Sequence, residues 1–129
     1  MQLLETIPGV GALTPLQIYA EIGEIERFDR PAELVRYAGL DPSVRESADS
    51  RTEGSISKQG NKYLRTAVVQ GAWRAVHNGQ DPYLRKFYYR LRDQKNKAEK
   101  AARVAAGRKL VVSIFHMLSR EEVYDPPER

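Results

Sequence analysis

The sequence predicts an all-α fold, a compact domain of about five or six helices with a helix-hairpin-helix-like N-terminal part and a long polar, serine-bearing loop. Three observations predict it. Apolar residues recur at three- and four-residue spacing over 58–77, 82–93 and 98–118, as in helices with one buried face. A capping residue followed by proline, the chemistry of a helix start, occurs at Thr14-Pro15 and Asp81-Pro82. No stretch alternates apolar and polar residues as a half-buried strand would; Leu110 to Phe115 is apolar enough for one but continues a helical period.

In chain order, Leu3, Leu4 and Ile7 precede Pro8-Gly9-Val10-Gly11. Thr14-Pro15-Leu16-Gln17 reads as a capping box with Thr14 as N-cap, opening a helix that runs to Ile22 and stops at Gly23. A short helix, two glycines around a small apolar residue and a second helix make 2–22 helix-hairpin-helix-like. In that arrangement Gly9 and Gly11 let backbone amides approach a DNA phosphate; the alternative is a tight helix-helix connector. Pro31 to Ala38 forms a short helix closed by Gly39, with Leu34, Val35 and Tyr37 partly buried.

Residues 41–56 are too polar to bury a core and form the serine loop. Ser57 is then the candidate N-cap of a helix from Lys58 to His77, which buries Leu64, Ala67, Val68, Gly71, Ala72 and Ala75. Asp81 caps a helix reaching Asp93, with Leu84, Phe87, Tyr88 and Leu91 as its core stripe. A polar connector leads into a long helix from Ala98 to Leu118 with Val104, Leu110, Val111, Ile114, Phe115 and Leu118 on its apolar face. The domain spans 1–124, with basic helices over 82–118, and 125–129 form a disordered tail.

Composition bounds the function. At 129 residues, 41% hydrophobic and 29% charged, the chain suffices for one modest core. It has no cysteine, which excludes disulfides and thiolate metal sites, and His77 and His116 lack metal-ligand spacing, so no metal site is expected. No secretory or long apolar segment is present, and a soluble cytoplasmic protein without membrane contact is expected. The net charge of +4 is uneven: residues 1–44 carry seven acidic and three basic groups, residues 85–109 ten basic and two acidic. A block this basic next to a serine-rich loop suits a polyanion, most simply nucleic acid; on charge alone a solvated helix face is an equal alternative.

The stretch from Gly39 to Arg65 concentrates the chemistry. Ser43, Ser47, Ser50, Ser55 and Ser57 stand among Arg45, Arg51, Lys58, Lys62 and Arg65, and the loop empties into a helix start whose free N–H groups suit a phosphate. A serine nucleophile needs a base or metal to activate it and positive charge to stabilise the transition state at phosphorus. Arg45, Arg51, Lys58 and Lys62 are close enough in sequence for the second need; no histidine or buried carboxylate stands at triad-like spacing for the first.

The run YAGL-x-PS, a serine in a polar loop, then G-x-ISK-x-GN-x-x-LR resembles the C-terminal transposase domain of the IS110/IS116/IS902 insertion-sequence family, which includes Piv-type invertases and bridge-RNA-guided recombinases. LLETIPGVG, DPYLRKFYYRLR and the stretch from Arg108 to Leu118 extend the likeness over nearly the whole chain. The resemblance implies a DNA recombinase that joins strands through a phosphoserine, with Ser47 as nucleophile; the hairpin pattern and the cations of the serine stretch make Gly9, Gly11, Arg45, Arg51, Lys58, Lys62 and Arg65 the candidate phosphate ligands. It further implies a separate N-terminal RuvC-like domain carrying divalent metal, Mg most simply, a homo-oligomeric active complex and, in some members, a guide RNA. By the same resemblance this domain is inactive alone. Where the family follows its serine with glycine, this chain has Ala48-Asp49, which leaves Ser50 as an alternative. A non-catalytic nucleic-acid-binding module is the other function class.

Overall fold

In a computed structural model, residues 2–11, 13–41, 60–79, 81–94 and 98–126 are described. A 3-10 turn, Gln2–Thr6, leads through the glycine-bearing turn into α1, Leu13–Ile22. After a second 3-10 turn, Ile25–Arg27, come α2, Pro31–Tyr37, and α3, Lys62–His77. Helix α4, Pro82–Tyr89, widens into one π-helical turn, Arg90–Gln94, before α5, Glu99–Arg120. Among the described residues there is no strand, and the all-helical class holds.

Helices α3 and α5 form the centre, because both carry a wide apolar face and both have a small residue where they touch. A Cβ on Gly107 would stand 3.0 Å from Val69 Cγ2, so α5 lies as close to α3 as a side chain there would permit. Around this pair Leu64, Val68, Ala72 and Ala75 of α3 meet Leu110, Val111 and Ile114 of α5, Ile18 and Ile22 of α1, Leu34 of α2, and Leu84 and Tyr88 of α4. All of these are at most 1% exposed. Burying each large aliphatic side chain contributes about 1.5–3 kcal/mol. The expected stripe of α4 is in place, with Leu91 buried and Phe87 partly so.

Two helix starts differ from the sequence reading. Helix α1 begins at Leu13, so Thr14 lies within it; its buried hydroxyl accepts a hydrogen bond from Arg74 Nη1 at 2.8 Å instead of capping. Helix α3 begins at Lys62 and its cap is Asn61, not Ser57: Asn61 Oδ1 accepts from the N–H groups of Tyr63 and Leu64 at 2.9 and 3.0 Å. The physical reason is Gly60, whose backbone lies against Gly39 and Tyr37 and cannot also join the helix. Asp81 caps α4 as expected, accepting from Leu84 N–H at 3.1 Å.

The end of the domain is anchored. Tyr124 Oη donates to Asp81 Oδ2 at 2.6 Å, and Tyr124 N–H donates to Thr6 Oγ1 at 2.8 Å. Of the expected tail, residues 127–129 lie outside the described residues.

Candidate functional site

The serine stretch lies between Asp41 and Gly60, and Gly60 is pinned against Tyr37, Ala38 and Gly39 at the end of α2. Gly39 ends α2 with φ 76°, and a Cβ on Gly60 would run into Tyr37 O, Gly39 N and Ala38 C, so only glycine permits the two backbones to meet this closely. Beside them Asn61 N–H donates to Tyr37 O at 2.6 Å and Arg65 Nη1 to Ala38 O at 3.4 Å. On the departing side, Arg108 of α5 donates from Nε to Leu40 O at 2.9 Å, and Arg36 Nε stands 3.3 Å from Asp41 Oδ2. The residues on either side of the stretch are thereby tied to α2, α3 and α5 at once.

Asn61 is the centre of this neck. Besides capping α3, it donates from Nδ2 to Glu21 Oε1 at 2.8 Å and to Tyr37 Oη at 3.3 Å, which links the ends of α1 and α2 to the start of α3. The Arg27 guanidinium, 4.8 Å from the centre of the Tyr37 ring, and then the Asn61 amide hold the Tyr37 phenol below its usual range. Arg27 is itself fixed, donating from Nε and Nη2 to Ile22 O at 3.1 and 2.6 Å. Arg36, Tyr37, Gly60, Asn61, Lys62 and Tyr63 line an open cleft on this surface together with Glu21.

Of the expected phosphate ligands, Lys62 is the exposed first residue of α3, with Nζ 5.5 Å from the Tyr63 ring centre, and Arg65 stands one turn on. The two are brought together at the returning side of the neck. Ser47, Arg45, Arg51 and Lys58, with the alternative Ser50, lie outside the described residues. Gly9 and Gly11 are not at the neck: Gly9 packs beside Arg74 and Gly79 at the far end of α3, about 20 Å along a helix rising 1.5 Å per residue.

The two hairpin glycines differ. A Cβ on Gly9 would meet Arg74 O and Gly79 N, both at 2.6 Å, so that glycine serves an internal backbone contact. Among the described residues nothing lies within 4 Å of a Cβ position on Gly11, whose φ is 74°. Among the described residues no group of three or more His, Cys, Asp or Glu could hold a metal, and no helix is long and apolar enough to cross a membrane.

The sequence reading missed Asn61, the Gly39–Gly60 contact and the Arg108 tie. A usable signal was present: glycine directly followed by asparagine ahead of a helical period is a cap preceded by a point of close approach.

The fold and the neck define an all-helical domain in which the residues on either side of a serine-rich stretch are tied to one another. The comparisons name its family. Residues 1–89 match the model of the transposase IS116/IS110/IS902 family, and the chain belongs to that family. It is 32% identical over 123 residues to the transposase for insertion sequence element IS1111A of Coxiella burnetii, covering 95% of this chain and 34% of that protein. The pilin gene-inverting protein of Moraxella bovis is 34% identical over 124 residues, 95% of this chain and 38% of the relative. A probable family 20 transposase of Pseudomonas aeruginosa is 30% identical over 129 residues, 98% and 37% of the two chains. The chain thus spans little more than a third of the length of these relatives.

Proposed function

We propose that this chain is the serine-bearing domain of a DNA transposase or recombinase, and that Ser47 is its nucleophile. The observation that carries the reading is the neck: two ends of a serine- and arginine-rich stretch are fixed within one hydrogen-bonded cluster, with Lys62 and Arg65 at the returning side. A reacting hydroxyl must be held to a fraction of an ångström against its phosphorus, and a stretch whose flanking residues are fixed on a packed scaffold meets that need better than one whose ends are free.

In the proposed step Ser47 Oγ bonds to phosphorus and the bond from phosphorus to one deoxyribose oxygen breaks. The serine proton passes to a general base supplied by a partner domain, and the leaving oxygen ends as a hydroxyl. Rejoining is the reverse, with a deoxyribose hydroxyl attacking the phosphoserine, so the phosphodiester bond count is conserved without an external energy source. Arg45, Arg51, Lys58, Lys62 and Arg65 supply positive charge to the phosphate, and Gly11 offers an unhindered backbone to DNA.

The divalent metal implied by the family, Mg most simply, finds no matching cluster among the described residues and is assigned to a separate RuvC-like domain of the same protein. No step given to this chain's residues passes through it. The active complex is a homo-oligomer, and a guide RNA is the family's means of choosing targets where one is used.

The test is a phosphoserine trap on cleaved DNA with a full-length protein containing this domain. Ser47→Ala should abolish the adduct and strand exchange while leaving folding and DNA binding nearly unchanged. An adduct lost only with Ser50→Ala moves the nucleophile to Ser50, and one that survives both substitutions overturns the serine mechanism. The 129-residue chain alone should form no adduct.

A further inference from the structure

A second cluster, at the α3–α4–α5 corner, is unused by the serine chemistry. Trp73, the one tryptophan of the chain, lies on α3 with the Arg103 guanidinium carbon 4.0 Å from its ring centre. Arg103 is held there by Glu99, one turn earlier on α5, whose Oε2 accepts from Nη2 at 3.0 Å. Behind the indole stand His77, with ring centres 3.7 Å apart, and Tyr88, edge-on at 5.9 Å. The Arg103 side chain remains 38% exposed, so part of it reaches solvent although its Nε is buried.

The cluster keeps unspent hydrogen-bonding capacity. Tyr88 is 1% exposed, and among the described residues its hydroxyl has no hydrogen-bond partner; the buried atoms His77 Nε2 and Arg103 Nε of these two half-buried residues have none there either. Buried polar groups are normally satisfied, and three in one cluster call for an explanation. The surroundings are cationic: Arg85, stacked 5.4 Å from the Tyr89 ring centre, Arg92 and Arg103 all act on His77 through space, with Glu99 as the opposing charge.

We propose that the Arg103–Trp73 stack is a platform for an unpaired nucleobase of a DNA or RNA strand, with Arg85 and Arg92 meeting the flanking phosphates. The proposal rests on the nucleic-acid reading above and adds to it a second contact, separate from the neck. A guanidinium already held 4.0 Å from an indole ring centre can meet a base without ordering a long side chain at the moment of binding. Unpaired bases expose the faces such a platform needs, whereas bases in a duplex cover each other's. The competing account is that Arg103 only staples α5 to α3; it predicts a stability change on substitution and no dependence of binding on bases.

Because Trp73 is the one tryptophan, its fluorescence in the 129-residue chain reports on the cluster directly. Four probes are titrated at low salt: an oligothymidylate, an oligouridylate of equal length, an abasic deoxyribose-phosphate strand and a duplex. At least one base-containing strand should quench Trp73, with the stronger of the two identifying DNA or RNA as the source, while the abasic strand and the duplex bind without quenching. Arg103→Lys, which keeps the charge and loses the plane, should weaken the quenching strand at least fivefold and the abasic strand less than twofold. Equal quenching by the abasic strand, or unchanged affinity of Arg103→Lys for the base-containing strands, overturns the platform and leaves nucleic-acid binding standing. If none of the four probes binds, the underlying reading fails with it. The comparison of abasic and base-containing strands on the unsubstituted chain decides the matter without any variant.

Discussion

Gly9 lies against Gly79 and Gly39 lies against Gly60, two contacts of the same kind at opposite ends of α3. At the first, the turn after the opening 3-10 segment is locked onto the C-terminal end of the helix. At the second, the two ends of the serine stretch are locked onto its N-terminal end. In both, backbone occupies the space a Cβ would need. The difference lies in what hangs from the contact: the first closes the scaffold on itself, and the second holds a segment of some eighteen residues, 42–59, by its ends. Glycine in a sequence thus signals that something comes close without saying whether it is a ligand or another part of the chain.

Substitutions should separate the two contacts. Gly60→Val has the largest expected effect, because its Cβ meets three backbone atoms that cannot turn aside; a loss of about 3 kcal/mol is expected in urea unfolding. Gly9→Ala should cost about 2 kcal/mol, combining contact with Arg74 O and Gly79 with an unfavourable positive φ of 85°. Gly11→Ala meets no atom and should cost only about 1 kcal/mol through its φ. If Gly11 approaches DNA, that last variant loses binding out of proportion to its stability, whereas Gly9→Ala loses both together. Equal stability of Gly9→Ala and Gly11→Ala would mean the Gly9–Gly79 contact has been misjudged.

Asn61 sharpens the contrast, because it caps α3 and cross-links α1 and α2 through one side chain. Asn61→Ala removes the cap of α3 and the links to Glu21 and Tyr37, and should cost about 2 kcal/mol. Asn61→Ser keeps a capping oxygen while giving up the reach to Glu21, and about half of that loss should return in the same unfolding measurement. Should the serine variant be no better than alanine, the cross-links outweigh the cap.

How much of this was legible beforehand follows from which forces are local. The helical class, the stop at Gly23, the α4 cap at Asp81 and the stripe of Leu84, Tyr88 and Leu91 were readable because each rests on spacing or on a side chain acting within one turn. The start of α3 was misread, since Ser57 and Asn61 are equally good caps in isolation and only the Gly39–Gly60 approach, which joins positions far apart in sequence, selects Asn61. Thr14 was misread for the same reason: its partner is Arg74, sixty residues away. Of the candidate site, the concentration of cations around a serine stretch was legible, and Lys62 and Arg65 do stand together at the neck. That the hairpin glycines lie at the other end of α3 was not, because nothing in the PGVG run records which helix end it will meet.

An effect as small as that of Gly11→Ala concerns Tyr124, which braces the hairpin end a second time. Its hydroxyl donates to buried Asp81, the cap of α4, and its N–H donates to Thr6, so one residue joins the end of the chain to the two segments that flank Gly9 and Gly79. Tyr124→Phe deletes a single hydrogen bond to a carboxylate that still accepts from Leu84 N–H, and should cost about 1 kcal/mol at neutral pH. The pH dependence gives a second handle. Burial, followed by the hydrogen bond to Asp81 and that residue's negative charge, pushes the Tyr124 phenol above its ordinary value. A group whose folded pKa is raised contributes stability that is full below the unfolded value, about 10 for tyrosine, and is lost as pH climbs past it. The gap in stability between the unsubstituted chain and Tyr124→Phe should therefore be constant from pH 7 to 9 and shrink by pH 11, as lysine titration affects both proteins alike. A gap that stays constant through pH 11 would show that Tyr124 ionises no differently in the folded and unfolded chains. The hairpin end would then rest on the Gly9–Gly79 contact without the brace.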